Sequence, residues 1–384
     1  MTTATKNKTN DYTVFVGTVS QGVWRGDAKE DTSGTTMFGS LDKHRSWKRV
    51  GWTPANKIFH LEAQSRSIAI NPKNPKVVFI GDEEGLFRSN DGGYKWERIN
   101  SILNGLSVWS LAIDPVEPNV MFAGTRPAGF YRSKDGGTTW EKLKADLPAT
   151  CFIGLPRVTN LKIDPEDHRT IWAGVEIAGV FRSNDGGDSW VRVKGGLTES
   201  TNHTDIHDVT IIPGLGLQDD HGKLSLTPSP RKKTVLVTGP GEMMASDDMG
   251  ETFHHFISGK DDMPTPYLRC VAVKPGDPKT IFLGISDTAI GSTGAVMRTK
   301  NGGKTWEQAK LPKVPNSGIF HIAMHPSDPE RVWASSLFGE LYLSEDGGDT
   351  WEKPKRELSE IRALAWAPTA SEPPAPEPKK AMGY

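Results

Sequence analysis

The sequence predicts an all-β chain folded as a single β-propeller of seven four-stranded antiparallel blades. Three observations predict it. The stretch Arg88-Ser-Asn-Asp-Gly-Gly-Tyr-Lys-Trp96 returns along the chain in further copies, close or loose. The copies are set in units of roughly 45–60 residues, each with room for four short strands, which is the size of a propeller blade. The unit at the N-terminus lacks a first strand, and the chain ends on a lone first strand that would complete it.

In chain order, residues 1–11 are polar and are expected to be disordered. Tyr12-Thr-Val-Phe-Val-Gly-Thr18, Gly22-Val-Trp-Arg25 and Ser46-Trp-Lys-Arg-Val50 read as three strands, with a polar insertion over 26–45. From residue 65 the units are complete. Their first strands run into a proline: Ser67-Ile-Ala-Ile-Asn-Pro72, Ser110-Leu-Ala-Ile-Asp-Pro115 and Asn160-Leu-Lys-Ile-Asp-Pro165, with weaker matches ending at Pro213, Pro275 and Pro326. Second strands are apolar and end in glycine, as in Val78-Phe-Ile-Gly81, Met121-Phe-Ala-Gly124 and Ile171-Trp-Ala-Gly174. Third and fourth strands flank the repeated turn. Residues 214–233 read as a polar insertion in blade four. The last first strand, Ala363-Leu-Ala-Trp-Ala-Pro368, would share a blade with residues 12–50 and so close the ring, leaving only protected edges. The propeller is thus expected over 12–368, followed by a Pro-rich disordered tail over 369–384.

The repeated turn has a local rationale. Asp-Gly-Gly between two β-type runs is a hairpin signal: glycine supplies positive φ, and the aspartate accepts hydrogen bonds from turn amides. Other copies are Arg132-Ser-Lys-Asp-Gly-Gly-Thr-Thr-Trp140, Arg182-Ser-Asn-Asp-Gly-Gly-Asp-Ser-Trp190, Ala245-Ser-Asp-Asp-Met-Gly-Glu-Thr-Phe253, Arg298-Thr-Lys-Asn-Gly-Gly-Lys-Thr-Trp306 and Leu343-Ser-Glu-Asp-Gly-Gly-Asp-Thr-Trp351. The pattern resembles the Asp-box, or BNR, repeat. The resemblance implies that these turns are structural and lie on the face away from any active site. The Arg-Ile-Pro motif of sialidases is absent. A single seven-bladed propeller of this kind is similar to photosystem II assembly factors, which bind rather than catalyse, whereas xyloglucanase-type enzymes join two propellers.

The 384 residues carry a formal net charge of -1, which gives no electrostatic case for nucleic acid or an anionic membrane. No apolar run is long enough to span a bilayer, and the N-terminus has no signal-like apolar core. Two cysteines, Cys151 and Cys270, make no disulfide framework. A cytoplasmic protein is expected.

Alternating strand direction places the starts of the first strands on the face opposite the repeated turns, beside the central channel. The position six residues before the proline reads Arg66, Trp109, Thr159, His207, Arg269, Phe320 and Arg362. The next reads Ser67, Ser110, Asn160, Asp208, Cys270, His321 and Ala363. Packing alone would favour apolar residues there, so these rings are candidate site positions. Arg66, Arg269 and Arg362 suit a carboxylate or phosphate, with Trp109, Asn160 and Tyr267 as further binding residues. His207, His321, Glu176 and Asp208 are the candidate acids and bases. Glu176 belongs to a second ring with Asp82 and Arg126. Arg66, Arg269, Arg362 and Tyr267 look similar to the arginine triad and tyrosine of sialidases. His203, Asp205 and His207 alternate and would share a face in extended chain, but the two histidines would stand roughly 13 Å apart, too far to chelate one ion. No cofactor is expected; a divalent metal would need a bend in the loop or ligands from other blades, such as Glu176 or His321. The leading expectation is a hydrolase or lyase acting on a small anionic, carboxylate-bearing molecule. The alternatives are a non-catalytic binding or assembly scaffold with a protein partner, and a glycoside hydrolase acting on a glycan.

Overall fold

A computed structural model of the chain describes residues 11–28, 47–50 and 64–369. Seven antiparallel sheets follow one another around a ring. Blade one consists of Ser67–Ile70, Val78–Asp82, Gly85–Ser89 and Glu97–Ile99, each strand paired with the next. Blades two to six repeat the meander, with first strands beginning at Ser107, Val158, Asp208, Tyr267 and Ile319. In blade six the fourth strand shrinks to one bridge between Leu343 and Glu352. Pro354 follows two residues later and cannot donate to a longer ladder.

The seventh blade is built from both ends of the described chain. Ile361–Pro368 pairs with Tyr12–Thr18, followed by Gly22–Ala28 and Lys48–Val50. The register joins Val14 to Trp366 and Val16 to Leu364. Tyr12, Val14, Val16, Ile361 and Trp366 are buried in one cluster with Trp333 of blade six. The second strand runs three residues past the expected Arg25. Apart from Asp11 and Thr369, the tails expected at 1–11 and 369–384 lie outside the described residues, as does most of the insertion expected over 26–45.

The repeated turns form one hydrogen-bonded unit. In blade one, Ser89 Oγ donates to Asp91 Oδ1 (2.9 Å) and accepts from Gly93 N (2.8 Å). Asp91 Oδ1 accepts from the amides of Tyr94 (3.0 Å) and Lys95 (2.9 Å), and Trp96 Nε1 donates to Gly93 O (3.0 Å). The second glycine of each turn also meets an aromatic ring, in most cases one from the second strand of the preceding blade. A Cβ at Gly93 would lie 2.4 Å from Phe15, and one at Gly187 would lie 2.9 Å from Phe122. Residue 93 must therefore be glycine both for its φ of +91° and for the ring beneath it. The arginine that opens the repeat fastens the next turn: Arg132 donates to Gly186 O (2.6 Å) and Arg298 to Gly347 O (2.7 Å).

Residues 214–233, expected as a polar insertion, instead lengthen two strands. Asp208–Asp220 and Lys223–Thr238 form a long hairpin arm. Its leucines explain the order. Leu215 and Leu226 are buried with blade five residues, Leu217 and Leu224 pack beside them, and Leu226 N donates to Gly302 O (2.7 Å).

Closure by strand pairing has a testable consequence. A chain ending at Ser359 loses the last strand and should lose its single cooperative urea transition, whereas one ending at Thr369 should keep it. Equal midpoints for the two truncations would show that the pairing of Ile361–Pro368 does not hold the ring.

Candidate functional site

The inward-facing position of the first strands is made by a repeated irregularity. In blade two Val108 pairs with Thr125 and Ser110 with Gly124, leaving Trp109 as an extra residue. Blade three leaves Thr159, blade five Arg269, blade six Phe320 and the closing blade Arg362. This is a β-bulge, which breaks the alternation of the pleat and re-aims a side chain. Arg66 and His207 stand at the same place just ahead of their strands, their backbone amides donating to Gly81 O (2.8 Å) and Thr238 O (2.9 Å). All seven side chains thereby line one cavity of about 310 Å³ at the channel mouth.

The residue after the bulge also borders this cavity, but its polar atom is used to bond a neighbouring blade. Ser67 Oγ donates to Val108 O (2.9 Å), Ser110 Oγ to Val158 O (3.0 Å) and Cys270 Sγ to Ile319 O (3.8 Å). Asp208 continues this series. Its Oδ1 accepts from Asn160 Nδ2 (2.6 Å) and Val209 N (2.9 Å), and its Oδ2 from Val271 N (2.9 Å). Burial raises its pKa, and the amide donors oppose the rise. A carboxylate so committed ties blades three, four and five together, and Asn160 is spent on the same tie.

The mouth is rich in guanidinium groups set on rings. Arg66 and Arg157 lie 4.6 and 4.0 Å from the centroid of Trp109. Arg269 lies 4.5 Å from Tyr267 and 4.2 Å from Phe320, with Arg362 at 6.0 Å from Phe320. Arg157 was not expected from the sequence. It lies two residues before Thr159, on the same side of the strand, so a search at i−2 wherever the bulge residue is small would have found it.

Carboxylates balance most of this charge. Arg66 pairs with Glu83 (2.5 Å), Arg362 with Glu360 and Arg157 with Glu176. Arg269 forms no ion pair among the described residues; Asp205 acts on it only at longer range. Burial lowers the pKa of Arg269, Arg362 and Arg157, the last to about 10, so all remain charged at neutral pH. Burial raises that of Glu176, against the pull of Arg157. Glu176 and Tyr267 stand beside the cavity rather than in its wall: both feel the charge of Asp205, and Tyr267 also feels that of Glu176. Asp82, of the second ring, is buried with its carboxyl pushed up to about 6.

His207 stacks on Tyr267 with centroids 5.1 Å apart, and its Nδ1 meets Leu268 O (2.7 Å). Burial lowers its pKa, opposed by Asp205. Of the face expected to hold His203, Asp205 and His207, only Asp205 and His207 stay together, with His207 Nε2 3.5 Å from Asp205 Oδ2. Thr201–Thr204 is a helical turn, and His203 Nε2 points to Glu242 Oε1 (2.8 Å). Backbone amides at the turn outweigh the alternating pattern here: His203 and Thr204 amides both donate to Ser200 O. Among the described residues no three His, Cys, Asp or Glu are grouped to hold a metal ion.

His321 is a strongly perturbed base at the mouth. Burial, helped by the Arg362 charge, lowers its pKa to about 4. The unfolded chain takes up a proton near pH 6.5 and the folded one does not until about pH 4. Stability from this group is complete above pH 6.5 and falls by about 3 kcal/mol as the pH drops to 4. His321→Gln should therefore reduce the slope of Tm against pH in that window. An unchanged slope would show that His321 titrates normally in the folded state.

A family model described as Sortilin-Vps10 (sortilin, neurotensin receptor 3) matches residues 84–194 and 241–379, most of the chain. The interval it leaves out includes the hairpin arm. A search of the curated proteins gives no match. Among solved structures, a GH74 xyloglucanase from Xanthomonas campestris is 19% identical, with a TM-score of 0.54, over 75% of this chain and 45% of that one. This chain thus spans less than half of the xyloglucanase. The GH74 enzyme of Niastella koreensis is 14% identical, with a TM-score of 0.52, over 93% of this chain and 69% of that one. The Cps50 (Swd1) propeller domain of Myceliophteria thermophila is 12% identical, with a TM-score of 0.53, over 79% of this chain and 90% of that one. At these identities the likeness is one of fold, carried by enzymes and by other propellers alike. The extent of the family match, with the repeated Asp-box turns and the seven-bladed ring, shows that the chain belongs to the Sortilin-Vps10 family.

Proposed function

We propose that the channel mouth binds an anionic, carboxylate-bearing group and that the protein acts by this binding. The reading is carried by Arg269. Its guanidinium lies against the rings of Tyr267 and Phe320 at the wall of the cavity, and among the described residues it forms no ion pair. A cation in a partly dry site without a counterion favours an incoming anion, and the planar guanidinium fork fits a carboxylate. Arg66, Arg157 and Arg362 add positive potential around the opening, each with its own carboxylate.

The acids and bases support binding better than turnover. Burial takes the pKa of His321 down to about 4, which makes it a weak base, and lowers that of His207; Asp208 is committed to the ring, and Glu176 is held by Arg157. The hydrolase or lyase expectation therefore has less support than the binding one. A glycan has less support still. The rings of Trp109 and Phe320 already carry guanidinium groups, whereas a sugar would stack on a bare ring. The cytoplasmic setting expected from the sequence stays part of the proposal; Cys151 and Cys270 are both free thiols.

The test is calorimetry and thermal shift with acetate, succinate and glutamate. At least one should bind the full chain and raise its Tm. Arg269→Ala should cost roughly 2–5 kcal/mol of that affinity while leaving the unliganded Tm nearly unchanged, and Arg269→Lys should restore only part. If none of the three binds, or if Arg269→Ala binds as well as the wild type, the mouth is not a carboxylate site.

A further inference from the structure

The cavity continues inward past the arginines, and its inner end carries a further cation. Lys162 stands three residues before Pro165 and so three positions further along its strand than the bulge residue Thr159, roughly 10 Å of strand. The residues at this height in the other blades are Thr210 and five alanines, from Ala69 to Ala365, and none of them borders the cavity. Lys162 borders it and is partly exposed, although its strand lies at the centre of the ring. Its long side chain reaches a space that the small residues of the other blades do not reach.

The ring does not use this lysine as a donor. Among the described residues Lys162 forms no ion pair and its ammonium no hydrogen bond. It acts through space on the Asp208 carboxylate of blade four, which is already bonded to Asn160 Nδ2, Val209 N and Val271 N. Arg66, Arg157 and Arg362 each lie against a carboxylate of their own. Arg269 at the rim and Lys162 at the inner end are therefore the two basic side chains of the cavity wall without a carboxylate in contact. Leu111, Ile322 and Leu364 border the cavity at the height between them and are partly exposed. The volume of about 310 Å³ stands at the lower end for small-molecule sites, which suits a short chain.

We propose that the ligand is a small linear dicarboxylate, with one carboxylate on Arg269, the other on Lys162 and its methylenes against the apolar band. The proposal rests on the reading of the mouth as a carboxylate site; it adds the second charge of the ligand and the residue that selects for it. A monocarboxylate on Arg269 would leave Lys162 unpaired. A diacid gives each cation a charge-assisted hydrogen bond and places only apolar atoms between them.

The experiment is calorimetry on the full chain with succinate, glutarate and adipate against butyrate, valerate and hexanoate, the monoacids of equal carbon count. At least one diacid should bind at least about tenfold more tightly than its monoacid. The monoamide of that diacid, which keeps the chain and loses one charge, should lose the advantage. Lys162→Gln should bring diacid and monoacid to the same affinity, whereas Arg269→Ala should weaken both. If no diacid exceeds its monoacid, or if Lys162→Gln keeps the difference, the dicarboxylate proposal falls; the mouth reading stands so long as Arg269→Ala still weakens the monoacids. If none of the six binds, both fall. A lower Tm for Lys162→Gln with the difference intact would assign the lysine to the ring. The monoamide needs no variant: if it binds the wild type as tightly as the diacid does, the proposal is overturned even should Lys162→Gln fail to fold.

Discussion

The contact between a turn glycine and an aromatic ring of its neighbour blade is what the rest of the structure depends on. Phe79 under Gly137, Phe122 under Gly187, Trp172 under Gly250 and Phe282 under Gly348 are the same contact at successive places in the ring. Each ring is the second residue of a second strand and is fully buried. The glycine must reach positive φ and must also lack a Cβ, so neither partner can be altered alone. Serine and aspartate of the same turn satisfy its amides, and the tryptophan closes over it. A blade alone would leave its ring exposed; the neighbour covers it, and the cost of ordering each blade is offset only when the next is in place.

Where the pattern slips, the packing adjusts rather than fails. Blade four has Leu236 where other second strands carry a large ring, and Gly303 of blade five rests on Phe256 from its fourth strand instead. Blade four also carries the hairpin arm, whose leucines cover part of blade five. The closing blade supplies Phe15 beneath Gly93, so the joined ends carry the same contact onward to blade one.

The opposite face is built by a second device, the bulge at the start of the first strands. It separates two consecutive residues into two tasks. One presents its side chain to the channel, and the next, though it borders the same cavity, uses its polar atom on a neighbouring blade. The second-strand glycines leave room for that reach: a Cβ at Gly81 would lie 2.4 Å from Val108 O, and one at Gly284 would lie 2.6 Å from Ile319 O. The fold can thus change the channel lining blade by blade without disturbing its joints. In this chain that freedom yields arginines on aromatic rings, three of them paired with carboxylates and one not.

The sequence by itself determined the blade count, the turns and the closure of Ile361–Pro368 on Tyr12–Thr18, because each rests on local chemistry or on a strand missing at one end and spare at the other. It also placed Arg66, Trp109, His207, Arg269 and Arg362 around one opening, because their spacing from a proline fixes their height on the strand. It did not separate Asp208 from His207. Both border the cavity, and only the packed ring shows that the Asp208 carboxylate is taken by Asn160 and by the Val271 amide. Nor did it find Arg157, whose partners Trp109 and Glu176 come from a neighbouring blade and a neighbouring strand. The partners of Arg66, Arg269 and Arg362 were equally out of reach. A guanidinium beside its own glutamate and one resting between two rings are spelled with the same residue, and only the packed ring, by bringing distant carboxylates close or leaving them far, distinguishes them.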